Sequence, residues 1–197
     1  MSGRLVLQMQ VSLDGRMAAA DAALPWQVWD WGDPWTWDDA LKRDFNGTFD
    51  TVGGILLSRK MAEDGYLSHW GRVAERAAAD PSYAFAQRVV SVEKLVLTRT
   101  LRTSRWDRTR VLRGDLGNAI RSWKKRSQGD LIAFGGMELA SSLVVAGLVD
   151  EYQFYVNPTA VGDGCSIFDG VHEGVRMRLI DSKAHACGII VNRYAPR

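Results

Sequence analysis

The chain has 197 residues, of which 46% are hydrophobic and 24% charged, and its formal net charge is +2. This balance is that of a globular domain with a sizeable core. So small a charge argues against a nucleic-acid-binding protein and against one that binds an anionic membrane. No apolar stretch approaches the roughly 20 residues of a membrane span, and the alternating N-terminus lacks the apolar core of a signal peptide.

Strands and helices alternate along most of the chain. We predict a first strand over Leu5–Ser12, ended by the turn residues Asp14 and Gly15, and a first helix over Trp35–Phe45. The later predicted strands are Thr51–Leu57, Lys94–Thr98, Leu131–Phe134, Tyr152–Val156, Arg176–Ile180 and Gly188–Val191. The later predicted helices lie in Arg72–Val90, Asp115–Lys125 and Glu138–Ala146. This order predicts one α/β domain over residues 1–197, with a mainly parallel sheet, flanking helices and an antiparallel C-terminal edge.

Two adjacent glycines, Gly135 and Gly136, stand where the predicted strand Leu131–Phe134 gives way to a helix. In an α/β sheet such a turn points a helix N-terminus at the carboxyl ends of the strands, where unpaired N–H groups favour an anion. Glycine also lets a phosphate approach the backbone without meeting a Cβ. The pair therefore suits a pyrophosphate, but a tight turn without a ligand explains it equally well, because the spacing is not G-x-G-x-x-G.

Two further segments combine a hydroxyl with a cation at a predicted strand end. Ser58, Arg59 and Lys60 follow the strand "TVGGILL", and Thr98 and Arg99 follow "KLVL". The cation supplies charge and the hydroxyl a directed hydrogen bond, which together suit a phosphate. Each segment alone is also typical of a solvated loop. With the glycine pair, they put three phosphate-suited segments at predicted strand ends.

Several segments, in chain order, resemble the dihydrofolate reductase-like superfamily. They are "VSLDGRMA" (Val11–Ala18), "ILLSRK" (Ile55–Lys60), "LVLTRTL" (Leu95–Leu101), "FGGMEL…L…AGLVDE" (Phe134–Glu151) and "NPTAVGDGCSIF" (Asn157–Phe168). The similarity covers nearly the whole chain and is greatest to the reductase domain of bifunctional riboflavin deaminase–reductases and its stand-alone relatives. It implies a dihydrofolate reductase-like fold with a mixed, mostly parallel sheet, an NADPH-dependent reductase activity, and a homodimer.

The resemblance also implies which residues bind the cofactor. The pyrophosphate turn would comprise Phe134, Gly135, Gly136, Met137, Glu138 and Leu139. The adenosine-side phosphates would lie against Ser58, Arg59 and Lys60, and the 2′-phosphate against Leu97, Thr98 and Arg99. Gly135 and Gly136 would share a cis peptide bond. Where this chain has Met61, the family often has a threonine, so one hydroxyl contact would be missing here.

The loop from Asp14 to Ala18 would lie beside the nicotinamide and the substrate, with Met17 and Ala18 in contact with the substrate. The segment Gly162-Asp163-Gly164 resembles a loop that packs against it. Reduction of a C=N or C=O bond also needs a proton. The candidate donors are Asp38 or Asp39 at the start of the first helix, of which we list Asp39, and Asp14. Acids are common at helix starts and Asp-Gly is a common turn, so both have a structural explanation, and water could supply the proton instead.

Five of the eight tryptophans lie between Leu24 and Trp37. They predict either a stacking surface for a flat aromatic substrate, with Trp26 in contact with it, or a hydrophobic cap over a sheet face or a subunit contact. The two cysteines form no metal-spaced motif, so we predict no metal site and a cytoplasmic location.

The sequence therefore predicts an NADPH-dependent reductase of a small planar, heterocyclic substrate such as a pterin or pyrimidine. The alternative is a non-catalytic nucleotide-binding or interaction protein on the same scaffold.

Overall fold

A computed structural model gives the structure of the chain and describes residues 3–127 and 129–197. Within these residues the strands are β1 (Leu5–Val11), β2 (Ala18–Ala19), β3 (Val52–Ser58), β4 (Glu93–Leu97), β5 (Thr109–Leu112), β6 (Asp130–Ala133), β7 (Glu151–Val156), β8 (Gly164–Cys165), β9 (Met177–Ala184) and β10 (Ile190–Pro196). The α-helices are α1 (Asp39–Thr48), α2 (Arg59–Glu63), α3 (Tyr66–Arg76), α4 (Ala84–Ser91), α5 (Leu116–Arg126) and α6 (Met137–Val145).

The chain divides into two compact units. The first unit comprises the stretch that ends at Leu5 together with Lys42–Gly136. Its strands lie in the order β5-β4-β3-β6, and the pairings between them are parallel. Parallel neighbours must be joined by crossovers, and α2 to α5 lie in these connections. The strands β3, β4 and β6 are almost wholly buried and have apolar central residues, as expected for parallel strands covered on both faces.

The second unit comprises Val6–Leu41 and Met137–Arg197. Its strands lie in the order β1-β7-β10-β9. The pairing of β1 with β7 is parallel, whereas β10 is antiparallel to both β7 and β9. The short strands β2 and β8 form a separate antiparallel pair.

These pairings confirm the predicted mixed sheet, mostly parallel with an antiparallel C-terminal edge. The strand and helix predictions agree with the structure to within a few residues at most positions. Asp115 caps α5, since its carboxylate accepts a hydrogen bond from the Asn118 N–H, and Gly147 ends α6 with a left-handed φ of 61°. The assignment of residues 1–197 to one domain stays a prediction.

The predicted first helix, Trp35–Phe45, starts too early. Helix α1 begins at Asp39, because the carboxylate of Asp38 accepts the Leu41 N–H at 2.9 Å and so caps the helix. The side chains of Trp35 and Trp37 are buried ahead of the helix. The sequence pattern predicted neither β5 nor the short helix α2, nor the short strands β2 and β8. None of the helices within residues 3–127 and 129–197 has both the length and the hydropathy to cross a membrane.

Candidate functional site

The carboxyl ends of β4, β3 and β6 lie side by side in the first unit. Ser58 of β3 pairs with Leu97 of β4, and Leu56 of β3 pairs with Ala133 of β6. Two residues beyond that second pair, Gly135 comes level with Ser58. The three segments suited to phosphate therefore follow adjacent parallel strands at one edge of the sheet. We call this the carboxyl edge, meaning Ser58–Lys60, Leu97–Arg99 and Phe134–Gly136.

The glycine turn packs closely on the end of β3. Gly136 has a left-handed φ of 76°, and a Cβ at this residue would lie 2.9 Å from the hydroxyl oxygen of Ser58. The sulfur of Met61 would be 3.7 Å from the same Cβ. Ser58 is itself fixed, because its Oγ accepts the Met61 N–H at 3.1 Å and caps α2. Glycine is therefore required at residue 136 both for its backbone conformation and for the space it leaves.

The resemblance implied a cis peptide between Gly135 and Gly136, and this expectation is wrong. In the described part of the chain the cis peptide bond is Asp33–Pro34. The turn is made instead by positive φ angles at both glycines, 145° and 76°.

The helix α6 starts directly after the glycine pair. First-turn N–H groups have no partner inside a helix. In the described residues, the N–H groups of Gly136, Met137 and Glu138 have no acceptor either. Glu138 is exposed and Leu139 is buried, so the charge of Glu138 lies at the surface, which suits the N-terminal end of a helix dipole. These N–H groups are consequently available to an anion.

The cations after β3 already have acidic partners on the same helix. Arg59 forms an ion pair with Glu63, and the Lys60 Nζ lies 3.2 Å from a carboxylate oxygen of Asp64. The Lys60 side chain is 81% exposed and that of Arg59 47% exposed. A phosphate at this loop would have to compete with Glu63 for the Arg59 guanidinium.

The loop after β4 is shaped by a buried hydroxyl. The Thr98 Oγ1 accepts the N–H groups of Thr100 and Leu101, at 3.1 and 3.2 Å, which fixes the turn. Arg99 is exposed, and its carbonyl oxygen accepts an N–H of Arg113 at 3.5 Å. No acidic side chain of the described residues pairs with the Arg99 guanidinium. Arg99 is therefore the more available cation of the carboxyl edge.

Phe134 serves the core through its ring. The ring stacks against Phe49, with centroids 5.7 Å apart, and lies 6.5 Å from the ring of Tyr66. Any contact of Phe134 with a cofactor would therefore come from its backbone.

Two loops of the second unit are joined through Asp14. Its carboxylate accepts the Ser12 hydroxyl at 2.6 Å and the N–H groups of Val161 and Gly162 at 3.0 and 2.8 Å. The Arg16 guanidinium donates to the Gly164 carbonyl at 3.3 Å, and β2 pairs with β8 just beyond. The expectation that the Gly162–Gly164 loop packs against the Asp14 loop is confirmed.

These hydrogen bonds also decide what Asp14 can do chemically. The Ser12 hydroxyl and the backbone N–H of Val161 lower the pKa of Asp14 to about 2. A carboxylate with this pKa carries no proton at neutral pH, so it is a poor general acid. The geometry assigns Asp14 to loop anchoring and argues against our prediction that it donates the proton.

The two acids at the start of α1, Asp38 and Asp39, have different surroundings. Asp39 is exposed in the first turn of the helix, where an acid suits the dipole. Asp38 also accepts the Cys187 N–H at 2.9 Å, and its Oδ1 lies 3.9 Å from the His185 Nδ1. Burial raises the pKa of Asp38, but the hydrogen bonds from Leu41 and Cys187 outweigh it and bring the pKa to about 2. Asp39 as proton donor stays a prediction.

The tryptophan segment forms a cluster of its own. Trp29, Trp35 and Trp37 are buried, with Trp29 stacked on Trp35 at 4.7 Å between ring centroids. Trp37 stacks on Tyr155 of β7, at 5.3 Å and 9° between ring planes. For these three rings, the arrangement favours a hydrophobic cap that covers a sheet face and not a stacking surface for the substrate. Trp26 is also buried.

Met17 and Ala18 lie where the joined loops meet. The Met17 N–H donates to the Cys165 carbonyl at 2.8 Å, and Ala18 pairs with Cys165 between β2 and β8. Met17 is half-buried and the side chain of Ala18 is exposed. Their predicted contact with substrate stays a prediction.

A comparison of this sequence with models of known families shows which family the chain belongs to. The model of the RibD C-terminal domain family matches residues 4–191. This chain belongs to the RibD C-terminal domain family. That membership confirms the resemblance drawn from the motifs and makes the chain a member of a reductase-like oxidoreductase family. The chain is also 24% identical over 189 residues to YyaP of Bacillus subtilis (strain 168), an uncharacterized protein, with 95% of this chain and 92% of YyaP covered.

Solved structures show the same fold. The RibD protein of Acinetobacter baumannii superimposes with a TM-score of 0.68 at 18% identity, over 100% of this chain and 58% of that protein. The dihydrofolate reductase of Enterococcus faecalis, in a complex with NADP(H), gives a TM-score of 0.59 at 13% identity, over 100% and 98% of the two chains. This RibD C-terminal domain therefore has the dihydrofolate reductase-like fold.

One feature of this RibD C-terminal domain was missed from the sequence: a buried polar network across β1, β7 and β10. The Glu151 carboxylate accepts Arg193 at 2.7 Å and Gln153 at 2.8 Å, while Gln8 donates to Gln153 and to the Tyr155 hydroxyl. The signal was the alternation of polar residues within apolar strands, in "LVLQMQV" and "EYQFYV".

Among residues 3–127 and 129–197, no three His, Cys, Asp or Glu side chains are grouped so that they could hold a metal ion.

Proposed function

We propose that the protein is an NADPH-dependent reductase that transfers a hydride to a small planar heterocycle of the pyrimidine or pterin kind. The observation that carries the proposal is the carboxyl edge of the first unit. There a glycine turn, a helix-capping serine followed by two cations, and a threonine–arginine pair follow three adjacent parallel strands. Membership of a reductase-like family supports the same conclusion.

The residues of the carboxyl edge suit the phosphates of NADPH. Gly136 leaves no Cβ in a turn that already lies against Ser58, and the following N–H groups have no acceptor among the described residues. Arg59 and Lys60 would add charge for the adenosine-side phosphates. NADPH would supply the hydride, and the chain would hold it and orient it.

Selectivity for NADPH over NADH would come from the loop after β4. The two cofactors differ by the 2′-phosphate, which carries charge. Thr98 holds the loop in shape, and Arg99 presents an exposed guanidinium beside it. Arg59, which follows the neighbouring strand β3, would add positive charge near this phosphate.

The heterocycle would lie beside the loop from Asp14 to Ala18, as the family resemblance implies. We propose that Met17, Ala18 and Trp26 contact the heterocycle. Asp14 would hold the loop in place, and the proton would come from Asp39 or from water. Asp38, with a pKa of about 2, would not supply it at neutral pH.

A non-catalytic nucleotide-binding protein is the second candidate. It is favoured by the low pKa values of Asp14 and Asp38, which leave neither with a proton to donate at neutral pH. A titration with NADPH followed by an assay of NADPH oxidation with pterins and pyrimidine ribosides separates the two candidates. Binding with oxidation by at least one substrate supports the reductase, and binding without oxidation by any supports the binder. The homodimer and the cytoplasmic location stay predictions.

A further inference from the structure

One stretch of the second unit, residues 157–165, supports the loop that the proposed function puts beside the substrate. Two of its backbone N–H groups donate to the Asp14 carboxylate at 3.0 and 2.8 Å. Its Cys165 carbonyl accepts the Met17 N–H at 2.8 Å, and Ala18 pairs with Cys165 in the short β-ladder. We call residues 157–165 the support segment.

The support segment begins at Asn157, and this side chain holds the tryptophan segment. Asn157 is wholly buried, and its Oδ1 accepts the Val28 N–H at 2.8 Å. Its Nδ2 donates to the Gln10 Oε1 at 3.2 Å, and the Gln10 Nε2 donates in turn to the Trp29 carbonyl at 2.8 Å. Two consecutive residues of the tryptophan segment are therefore bonded to side chains at the adjacent ends of β1 and β7.

Trp26 depends on this anchor for its place. Among the described residues, residues 25–27 form no hydrogen bond, and Trp26 belongs to no ring pair. The nearest bonded backbone group before Trp26 is the Leu24 N–H, which donates to the Asp21 carbonyl at 3.2 Å. The nearest one after it is the Val28 N–H, which Asn157 holds. Loss of the Asn157 amide would therefore free one end of the short stretch that carries Trp26.

We propose that Asn157 is a positioning residue for the substrate, because it sets the place of Trp26 relative to Met17 and Ala18. The inference rests on the proposed function, which puts these side chains in contact with the heterocycle. Asn157 acts through the Val28 N–H and does not touch the substrate. Since the support segment also holds Met17 and Ala18, both sides of the substrate contact are fixed to one piece of backbone. Such placement matters to an enzyme, because a shift of about 1 Å can cost on the order of 10²-fold in rate.

The kinetic test compares Asn157→Ala with the wild-type protein. Both are assayed with NADPH and with the pterin or pyrimidine riboside that gives the fastest NADPH oxidation in the wild type. We expect KM for that substrate to rise about 10-fold and kcat to stay within about three-fold, as for a lost binding contact. The dissociation constant of NADPH should not change, because Asn157 is bonded to no residue of the carboxyl edge.

Hydrogen exchange tests the anchor without any substrate. The Val28 N–H is held by the Asn157 Oδ1, so it exchanges only when that bond opens. In Asn157→Ala, peptides that cover residues 25–29 should exchange at least ~10-fold faster, since local protection follows the free energy of opening. Peptides from the first unit should exchange as in the wild type.

A second buried-side amide in the chain provides the matched control. The Asn46 Nδ2 donates to the carbonyls of Lys42 and Ser82 at 2.8 and 2.7 Å, and its Oδ1 accepts the Phe85 N–H at 2.7 Å. Asn46→Ala therefore removes the same kinds of hydrogen bond, but within the first unit. It should lower the melting temperature as Asn157→Ala does, and leave both the substrate KM and the exchange of residues 25–29 unchanged.

Gln10→Met keeps the inference testable if Asn157→Ala does not fold. Methionine has a similar length but cannot donate to the Trp29 carbonyl, so one of the two bonds to the tryptophan segment is lost. We expect KM and the exchange of residues 25–29 to change in the same direction as in Asn157→Ala, by a smaller factor.

An unchanged KM with unchanged exchange in Asn157→Ala, or in Gln10→Met where only that variant folds, would overturn the inference and leave the proposed reductase in place. A KM raised as much by Asn46→Ala would also overturn it, since a general loss of stability would then be the cause. NADPH binding without oxidation by any pterin or pyrimidine riboside would overturn the proposed function, and with it the substrate role of Asn157. The two failures are distinguishable, because the exchange of residues 25–29 is measured without a substrate.

Discussion

Gly136 lies so close to Ser58 that a Cβ at residue 136 would be 2.9 Å from the serine hydroxyl oxygen and 3.0 Å from its Cβ. Side-chain carbons do not normally approach at these distances, so one of the two residues must move if Gly136 is replaced. Ser58 is held by its hydrogen bond from Met61, and the backbone of Gly136 leads directly into α6. A substitution here would therefore displace the proposed phosphate-binding turn from the end of β3.

We expect Gly136→Ala to lower NADPH affinity at least ~10-fold, and Gly136→Val to abolish binding, in a protein that still folds. The left-handed φ alone costs an alanine about 1–2 kcal/mol. The matched control is Gly147→Ala, where φ is 61° but a Cβ meets nothing within 4 Å. Calorimetric titration with NADPH compares the affinities of Gly136→Ala and Gly147→Ala, and circular dichroism checks that both variants fold. If Gly147→Ala weakens binding as much as Gly136→Ala, the close contact with Ser58 is not the cause.

Arg99→Ala should discriminate between the two nicotinamide cofactors. We expect it to weaken NADPH by roughly 1.5–3 kcal/mol, the typical contribution of a charged hydrogen bond, and to leave NADH almost unchanged. Arg102→Ala, also exposed and in the same loop, is the control for a general loss of positive charge. Dissociation constants for both cofactors with both variants make the comparison. An equal loss for NADPH and NADH would mean that Arg99 does not contact the 2′-phosphate.

Glu63→Gln should strengthen NADPH binding. The carboxylate of Glu63 pairs with Arg59, and an amide would release the guanidinium for the cofactor phosphates. Exposed ion pairs contribute about 0.2–1 kcal/mol, so we expect an improvement of up to about five-fold, larger at low salt. Asp64→Asn frees the much more exposed Lys60 and should give a smaller change. No gain with Glu63→Gln at any salt concentration would show that Arg59 does not reach the cofactor.

The low pKa of Asp14 makes the joined loops sensitive to acid. A carboxyl whose folded pKa is about 2, below its unfolded value of about 3.9, adds stability that is fully present above the unfolded value. That contribution is lost as the pH falls from about 4 towards 2. We therefore expect the melting temperature of the wild-type chain to fall more steeply over this range than that of Asp14→Asn. A slope unchanged by Asp14→Asn would contradict this account.

How far the sequence predicts the site depends on which kind of contact defines it. The carboxyl edge could be predicted, because strand periodicity located Ser58, Thr98 and Gly135 at strand ends and parallel strands end at a common edge. The competition between Glu63 and a phosphate for Arg59 was hidden, since it needs the short helix α2 that the periodicity does not reveal. The anchoring role of Asp14 depends on N–H groups some 148 residues away in the chain, which no local pattern contains.

The tryptophan segment should divide into a structural part and a part that responds to substrate. Trp37 is buried and stacked on Tyr155, so Trp37→Ala should destabilise the fold by about 3–5 kcal/mol, the usual cost of removing a buried aromatic ring. A milder replacement, Trp37→Phe, should lower the melting temperature and leave the substrate KM within about two-fold, because we assign the Trp37 ring to the hydrophobic cap and not to the substrate contact.

Trp26 belongs to no ring pair found among the described residues and is our proposed substrate contact. Trp26→Phe should therefore raise KM and remove part of the change in intrinsic fluorescence on substrate binding. Stopped-flow fluorescence and steady-state kinetics on both Phe variants test the division, and a raised KM with Trp37→Phe but not with Trp26→Phe would reverse the assignment.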